Sequence, residues 1–272
     1  MTEATARETL IFTIARLLHG VRHVAVGSSS PIPAAGAMLL RALEEQRGGE
    51  GVRISILGST EHNFFTQGAS ELFDCAAQGR IDAFFLGGGQ IDGAGNINLV
   101  GSGDYPNSDV RWPGSFGSAF LYYVVPRVIL FREEHSPRVL VEKVDFISAP
   151  GTSPAGVYRV GGPYALLTGS ALFMFEKHKG RFRLDSVHPG HSVEEINEQT
   201  GFAFDSAPPV GATPPPDKEA LASLRGRVLD ELSEPIRNSP NCSTPTRWAR
   251  PPSSKSPLDC ARPHRGGARS GS

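Results

Sequence analysis

The stretch Ala83-Phe84-Phe85-Leu86-Gly87-Gly88-Gly89-Gln90-Ile91-Asp92-Gly93-Ala94-Gly95-Asn96-Ile97-Asn98 decides the reading of the fold. An apolar run ends in three glycines, and polar amides then alternate with apolar residues. Glycines just past the C-terminal end of a parallel strand let a ligand approach the backbone, and open sheets place their sites there. A dinucleotide-binding turn would need a helix next, but residues 96–100 alternate like a strand. A phosphate-binding Gly-Lys-Ser/Thr is absent. Taken alone, the run is equally a Gly-rich turn with structural Asn caps.

Working outward, the first hundred residues alternate helix and strand. Leu10, Ile11, Ile14, Leu17 and Leu18 share one helical face, and Gly20 is a natural stop. Residues 23–26 read as a short buried strand. Pro33 suits the first turn of a second helix that carries Met38, Leu39 and Leu43 inward. Residues 53–57 are a second strand, 69–78 a helix and 83–86 a third strand. This rhythm implies a parallel sheet covered by helices.

Further on, residues 121–131 and 138–147 are rich in Val and aromatics and are joined by the polar turn 132–137. They read as an antiparallel pair, as do 171–175 and 181–187 around His178-Lys179-Gly180. Ser192 with Glu195 suggests a capping box, and a last helix covers 218–232. The expected class is therefore α/β: an open, mainly parallel sheet flanked by helices, with an added antiparallel layer.

Two further loops offer chemistry. Val26-Gly27-Ser28-Ser29-Ser30-Pro31 is a strand, a small polar loop and a helix start. Free N–H groups there favour an anion, although plain N-capping by serine is commoner. Pro113-Gly114-Ser115-Phe116-Gly117-Ser118 has N–H groups to stabilise an oxyanion or hold a thioester carbonyl, or is a loop without a role. The histidines lack metal-ligand spacing, and no His-Glu-x-x-His or Gly-x-Ser-x-Gly occurs.

Composition narrows the class. Lys plus Arg is 27 against 28 Asp plus Glu among 272 residues, without the basic surplus of a nucleic-acid binder. No apolar run is long enough for a membrane span, and the polar, acidic start is not a secretory leader. Cys75, Cys242 and Cys260 are too few for a disulfide framework. The expectation is a cytoplasmic protein without nucleic-acid or membrane partners. Residues 236–272 hold seven Lys/Arg and one Asp, with Ile236 and Leu258 as their sole large aliphatics. They read as a disordered basic tail, resembling a shifted reading frame more than a module. The folded unit is expected to be 1–235.

Together these blocks resemble the β subunit of family I coenzyme A transferases, glutaconate CoA-transferase type. That type carries Gly-Gly-Ala-Gln-Ile-Asp-x-x-Gly-Asn-x-Asn, which residues 87–98 match with Gly89 in place of the Ala. Ser102-Gly103-Asp104-Tyr105-Pro106, Arg111, and Gly114-Ser115-Phe116-Gly117-Ser118 follow in family order, with Phe116 where the family has glycine. Lys143-Val144-Asp145-Phe146-Ile147-Ser148-Ala149-Pro150-Gly151 and Thr200-Gly201-Phe202 continue it. The match runs from about residue 8 to 233.

The resemblance implies an α-subunit partner in a heterodimer or heterotetramer, a CoA thioester as substrate, a carboxylic acid as second substrate, and no bound cofactor. A Glu attacks the thioester, holds CoA as a glutamyl thioester and passes it to a second acid. It also implies CoA or substrate contacts at Gly27, Ser28, Ser29, Gly87, Gly88, Gly89, Gln90, Asp92, Asn96, Asn98, Gly114, Ser115 and Gly117. The Glu belongs after the second strand, where this chain has Leu57. Leucine cannot attack a thioester, and the nearest carboxylate is Glu61. Three readings follow: transfer through Glu61; ring-opening hydrolysis of a steroid-derived CoA thioester with a Glu from the α subunit; or a non-catalytic scaffold.

Overall fold

The computed structural model describes residues 3–28, 30–66 and 68–232. Ser29 and the whole 236–272 segment lie outside the described residues.

The core of the fold is a mixed sheet. Its first strands are β1 (His23–Val26), β2 (Arg53–Ile56) and β3 (Ala83–Leu86). They are joined to β8 (Arg127–Arg132) and β9 (Pro163–Thr168). These five pair in parallel, so Val26, Ile56, Leu86, Arg132 and Thr168 all end on one edge of the sheet. β10 (Ala171–Glu176) and β11 (Arg181–Val187) add an antiparallel hairpin, and β12 (Asp205–Ala212) lies parallel to β11. The eight strands run in the order β12-β11-β10-β9-β8-β3-β1-β2. Two small antiparallel pairs sit above the edge. They are β4 (Gln90–Ile91) with β5 (Ile97–Asn98), and β6 (Gly101–Ser102) with β7 (Val110–Arg111).

The helices cover both faces. α1 (Ala6–Leu17), α2 (Pro31–Gln46) and the C-terminal helix, which begins as α6 (Lys218–Ser223), share one core with the sheet. α3 (Ala69–Ala77), α4 (Ser118–Val124), α5 (Val193–Gln199) and the β4–β5 hairpin pack on the other face. The apolar spacing of α1 explains its place, since Leu10, Ile11, Ile14 and Leu18 are buried. α1 meets α2 closely at Gly36, where a Cβ would stand 2.3 Å from the Ile14 methyl.

The expected fold class is borne out, with a correction in the middle of the chain. Residues 121–131 and 138–147 do not pair. The first stretch is α4 followed by β8, a central parallel strand buried by residues on both faces; such strands read as continuous apolar runs. The second is irregular and touches the β4–β5 hairpin through a bridge between Leu140 and Ile91. At α5, Ser192 Oγ accepts from the Glu195 N–H at 3.1 Å, but the Glu195 carboxylate turns to His191 instead of closing a capping box. Among the described residues, no helix is long and apolar enough to cross a membrane.

Two histidines lock the far side of the edge. His135 spans Thr168 Oγ1 at 2.7 Å and Thr200 Oγ1 at 3.0 Å, and His188 spans Thr213 Oγ1 at 2.7 Å and the Thr168 carbonyl at 3.0 Å. Burial pushes both imidazoles down to about 4.

Unfolded histidine titrates near 6.5, so the unfolded chain takes up protons that these sites refuse. Stability should be at its full value above about pH 6.5 and fall as pH drops toward about 4. Urea midpoints of wild type and His188→Gln across that window check this; the variant should show the flatter profile. Gly36→Ala should cost about 1–3 kcal/mol, because a methyl there overpacks the α1–α2 contact. Thermal melting measures it.

Candidate functional site

The C-terminal edge of the parallel strands holds a cavity of about 790 Å³. In the order of the sheet, the chain passes from β1 to β2 on one side and then from β2 back across β1 to β3 on the other, and open sheets bind ligands at such a reversal. Gly27 and Ser28 follow β1, Leu57 and Gly58 follow β2, and Gly87, Gly88 and Gly89 follow β3; all line the cavity. Gly114 and Ser115 line it from the loop before α4. These sequence-predicted residues are therefore brought together.

The amide-bearing residues behind them are not on the lining. Gln90, Asp92 and Asn98 are buried and bonded to their own chain. Gln90 Oε1 accepts from Asn98 Nδ2 at 2.8 Å and from the Asp145 N–H at 3.0 Å, while Gln90 Nε2 donates to Asp145 at 2.9 Å. Asp145 also accepts from the Gly103 N–H at 2.8 Å. Asp92 accepts from the Ala94 and Asn96 N–H groups and from Asn96 Nδ2, and Asn96 Oδ1 accepts from the Gly151 N–H at 3.0 Å. Asn98 Nδ2 donates to the Gly101 carbonyl at 2.7 Å. These side chains hold the hairpin shape, and two of their main partners, Asp145 and Gly151, come from residues 143–151. Gly117 packs against Phe73, where a Cβ would stand 2.1 Å from the ring, and it is not on the lining either.

The glycines are needed for close approach. A Cβ on Gly89 would lie 2.3 Å from the Trp112 ring, and one on Gly88 would lie 2.8 Å from the Gln90 carbonyl. Trp112 thus packs directly on the glycine turn as part of the cavity wall. Phe116, also on the lining, holds a left-handed φ of 44° and is 78% exposed. The sequence resemblance expects glycine there, and a side chain at such a φ costs about 1–2 kcal/mol.

At the start of α2, Pro31 and Pro33 have no N–H to offer. Within the first three helical positions this leaves Ile32 alone as a donor, so the Gly27-Ser28 loop is a poor anion cradle. Ser118 Oγ, buried on the cavity wall, has no hydrogen-bond partner. It is a polar atom available to a bound ligand.

The β2 loop places Leu57 on the lining and Glu61 off it. Ser59 Oγ accepts from the Glu61 and His62 N–H groups, and the His62 carbonyl accepts from the Ile56 N–H at 2.8 Å. The loop therefore folds back along its own strand. His62 Nε2 then lies 3.3 Å from Glu231, which also pairs with Arg41 of α2. Glu61 is exposed on this return turn.

Sequence reasoning missed Leu72, Phe84, Leu99, Trp112, Arg132 and Arg138 as lining residues. Arg132 ends β8 beside β3, so the parallel pairing of these strands was the signal that brings it to the glycine turn.

The chain matches the family model described as coenzyme A transferase over residues 8–199. It is 35% identical to the B subunit of the 3-oxoadipate CoA-transferase of Pseudomonas knackmussii, over 54% of this chain and 58% of that protein. The chain thus spans little more than half the length of that transferase relative. It is 26% identical to the cholesterol ring-cleaving hydrolase IpdB subunit of Rhodococcus jostii, over 86% of this chain and 95% of that protein. The solved decarboxylase AibA/AibB matches with a TM-score of 0.69 at 25% identity, covering 81% of this chain and 93% of that one.

Gln90→Ala should cost about 1–3 kcal/mol, since Asn98 and Asp145 would lose buried partners; urea unfolding measures it. Gly89→Ala should lift Trp112 from the turn. Its fluorescence, read in a Trp248→Phe background, should shift to the red.

Proposed function

The chain belongs to the coenzyme A transferase family, and on that premise we propose that it is the β-type subunit of a two-chain enzyme acting on acyl-CoA thioesters. The activity is the movement of CoA between carboxylic acids, and the reacting carboxylate comes from the partner α-type chain. One observation carries this reading: the cavity at the strand ends is largely apolar, floored by glycine backbone, and lined by no carboxylate among the described residues. A thioester carbonyl and its acyl group suit such a wall. A covalent glutamyl step does not, unless the glutamate arrives from outside.

Exposed apolar side chains support the partner. Phe116 and Phe120 cluster with Phe73 beside the cavity, and Tyr105, Val110, Ile147 and Tyr158 are exposed as well. Large exposed aromatics of this kind are the raw material of protein interfaces. The substrates remain CoA thioester and carboxylic acid, with no bound cofactor. The working unit is 1–235, and the tail 236–272 is dispensable.

Leu57 favours a second reading, hydrolytic ring opening of a CoA thioester. It differs in the bond broken: water activated by the partner's carboxylate attacks a ring carbonyl of the acyl group, the adjoining ring C–C bond breaks, the leaving carbon takes up a proton, and the new carboxylic acid keeps its CoA thioester.

Coexpression with an α-type chain, followed by incubation with acyl-CoA with and without a carboxylate acceptor, tests both. Transfer predicts a new acyl-CoA only with the acceptor and a CoA adduct on the partner by mass spectrometry. Hydrolysis predicts acid products and no adduct. Glu61→Gln and truncation after residue 235 should leave turnover within about twofold in either case. A CoA adduct on Glu61 overturns the placement of the carboxylate, and no turnover of any thioester would mean a scaffold.

A further inference from the structure

Four large apolar side chains stand on the cavity lining without being fully covered. Leu57, Leu99 and Trp112 are half-buried, and Phe116 is exposed. They come from four separate stretches of chain: Leu57 follows β2, Leu99 follows β5, Trp112 follows β7 and Phe116 precedes α4. Each is fixed from behind. The Leu57 N–H donates to the Val26 carbonyl at 2.9 Å, the Leu99 N–H to Ser148 Oγ at 3.0 Å and the Trp112 N–H to the Val100 carbonyl at 3.0 Å. The Phe116 ring meets that of Phe73, with centroids 5.6 Å apart.

Phe116 is the one non-glycine residue with a left-handed φ among the described residues. Its ring is 78% exposed, so its own burial does not offset the strain. Strained residues of this kind concentrate at ligand sites, where they shape a contact surface in advance. The charged end of the lining is already neutralised. Glu134 accepts from Arg138 Nε at 3.1 Å, stands 3.7 Å from Arg132 Nη2 and accepts from the Ser136 hydroxyl at 2.7 Å. A carboxylate entering the cavity finds both guanidinium groups beside Glu134, whereas an apolar chain finds four open apolar walls.

We propose that Leu57, Leu99, Trp112 and Phe116 form a slot for an uncharged, apolar acyl group, with Phe116 as a specificity-determining wall. The inference rests on the reading of the cavity as an acyl-thioester site and adds the substrate class to it.

The test uses the assembled two-chain complex and a series of thioesters: acetyl-, butyryl-, hexanoyl- and octanoyl-CoA, with suberyl-CoA as the charged counterpart of the last. Calorimetric affinity should tighten about twofold to fourfold with each added methylene, the upper figure marking full burial. Suberyl-CoA should bind roughly tenfold or more weakly than octanoyl-CoA, because its second carboxylate loses water without gaining a free partner. Phe116→Ala and Leu57→Ala should each cut the gain per methylene to below about 1.5-fold. Phe116→Tyr keeps the ring and should keep the slope. Phe116→Gly should lose the slope as the alanine variant does, yet melt at a higher temperature than it, since glycine adopts that φ without strain. This split separates the ring's contact with the acyl group from its effect on folding. A flat series in the wild-type complex, tighter binding of suberyl-CoA, or a slope unchanged in Phe116→Ala and Leu57→Ala overturns this inference and leaves the thioester reading standing. Failure to bind any of the five overturns both.

Discussion

The buried carboxamide of Gln90 is the contact on which the rest of the site depends. It links the hairpin partner Asn98 to the backbone N–H and the carboxylate of Asp145. Asp145 in turn holds the Gly103 N–H. A buried amide is costly unless both its donor and acceptor sides are used, and here both are used. The outcome is a braced hairpin directly after β3, with the preceding glycines bare enough for Trp112 to pack on them. The amides shape the cavity from behind; the glycine backbone faces it.

This division of labour bears on chemistry. The wall supplies area, an unpartnered hydroxyl at Ser118 and two cations. It supplies no carboxylate nucleophile among the described residues, since Leu57 occupies the end of β2 and the next loop turns Glu61 back along the strand. A cleft anchored on glycine backbone and flanked by exposed aromatics suits half of a composite active site. On the proposed reading, nucleophilic chemistry falls to the facing chain.

Much of the fold was legible from local pattern. Periodicity placed α1, the first three strands and the β10–β11 hairpin, because each has an amphipathic or uniformly apolar signature that its own burial explains. Residues 121–147 were illegible for the opposite reason. A short helix and a doubly buried strand are both apolar throughout, so periodicity does not separate them. Misreading β8 as half of a hairpin sent its C-terminal end, and with it Arg132 and Arg138, away from the glycine turn.

By itself the sequence determined the α/β class, the glycine turn at the end of β3 and the leucine at position 57 where the family resemblance expects glutamate, since these depend on residue type and order alone. Tertiary structure alone decided which polar groups face the cavity. Gln90, Asp92 and Asn98 are as polar as any ligand-binding residue, yet the fold turns each of them inward. Asp145 satisfies Gln90, and Asn96, itself held by the Gly151 N–H, satisfies Asp92. Arg132 looked like an ordinary turn charge until parallel pairing with β3 set it at the cavity's end. Orientation across a sheet edge is set by strand order, and strand order is a long-range property that no local stretch of chain encodes.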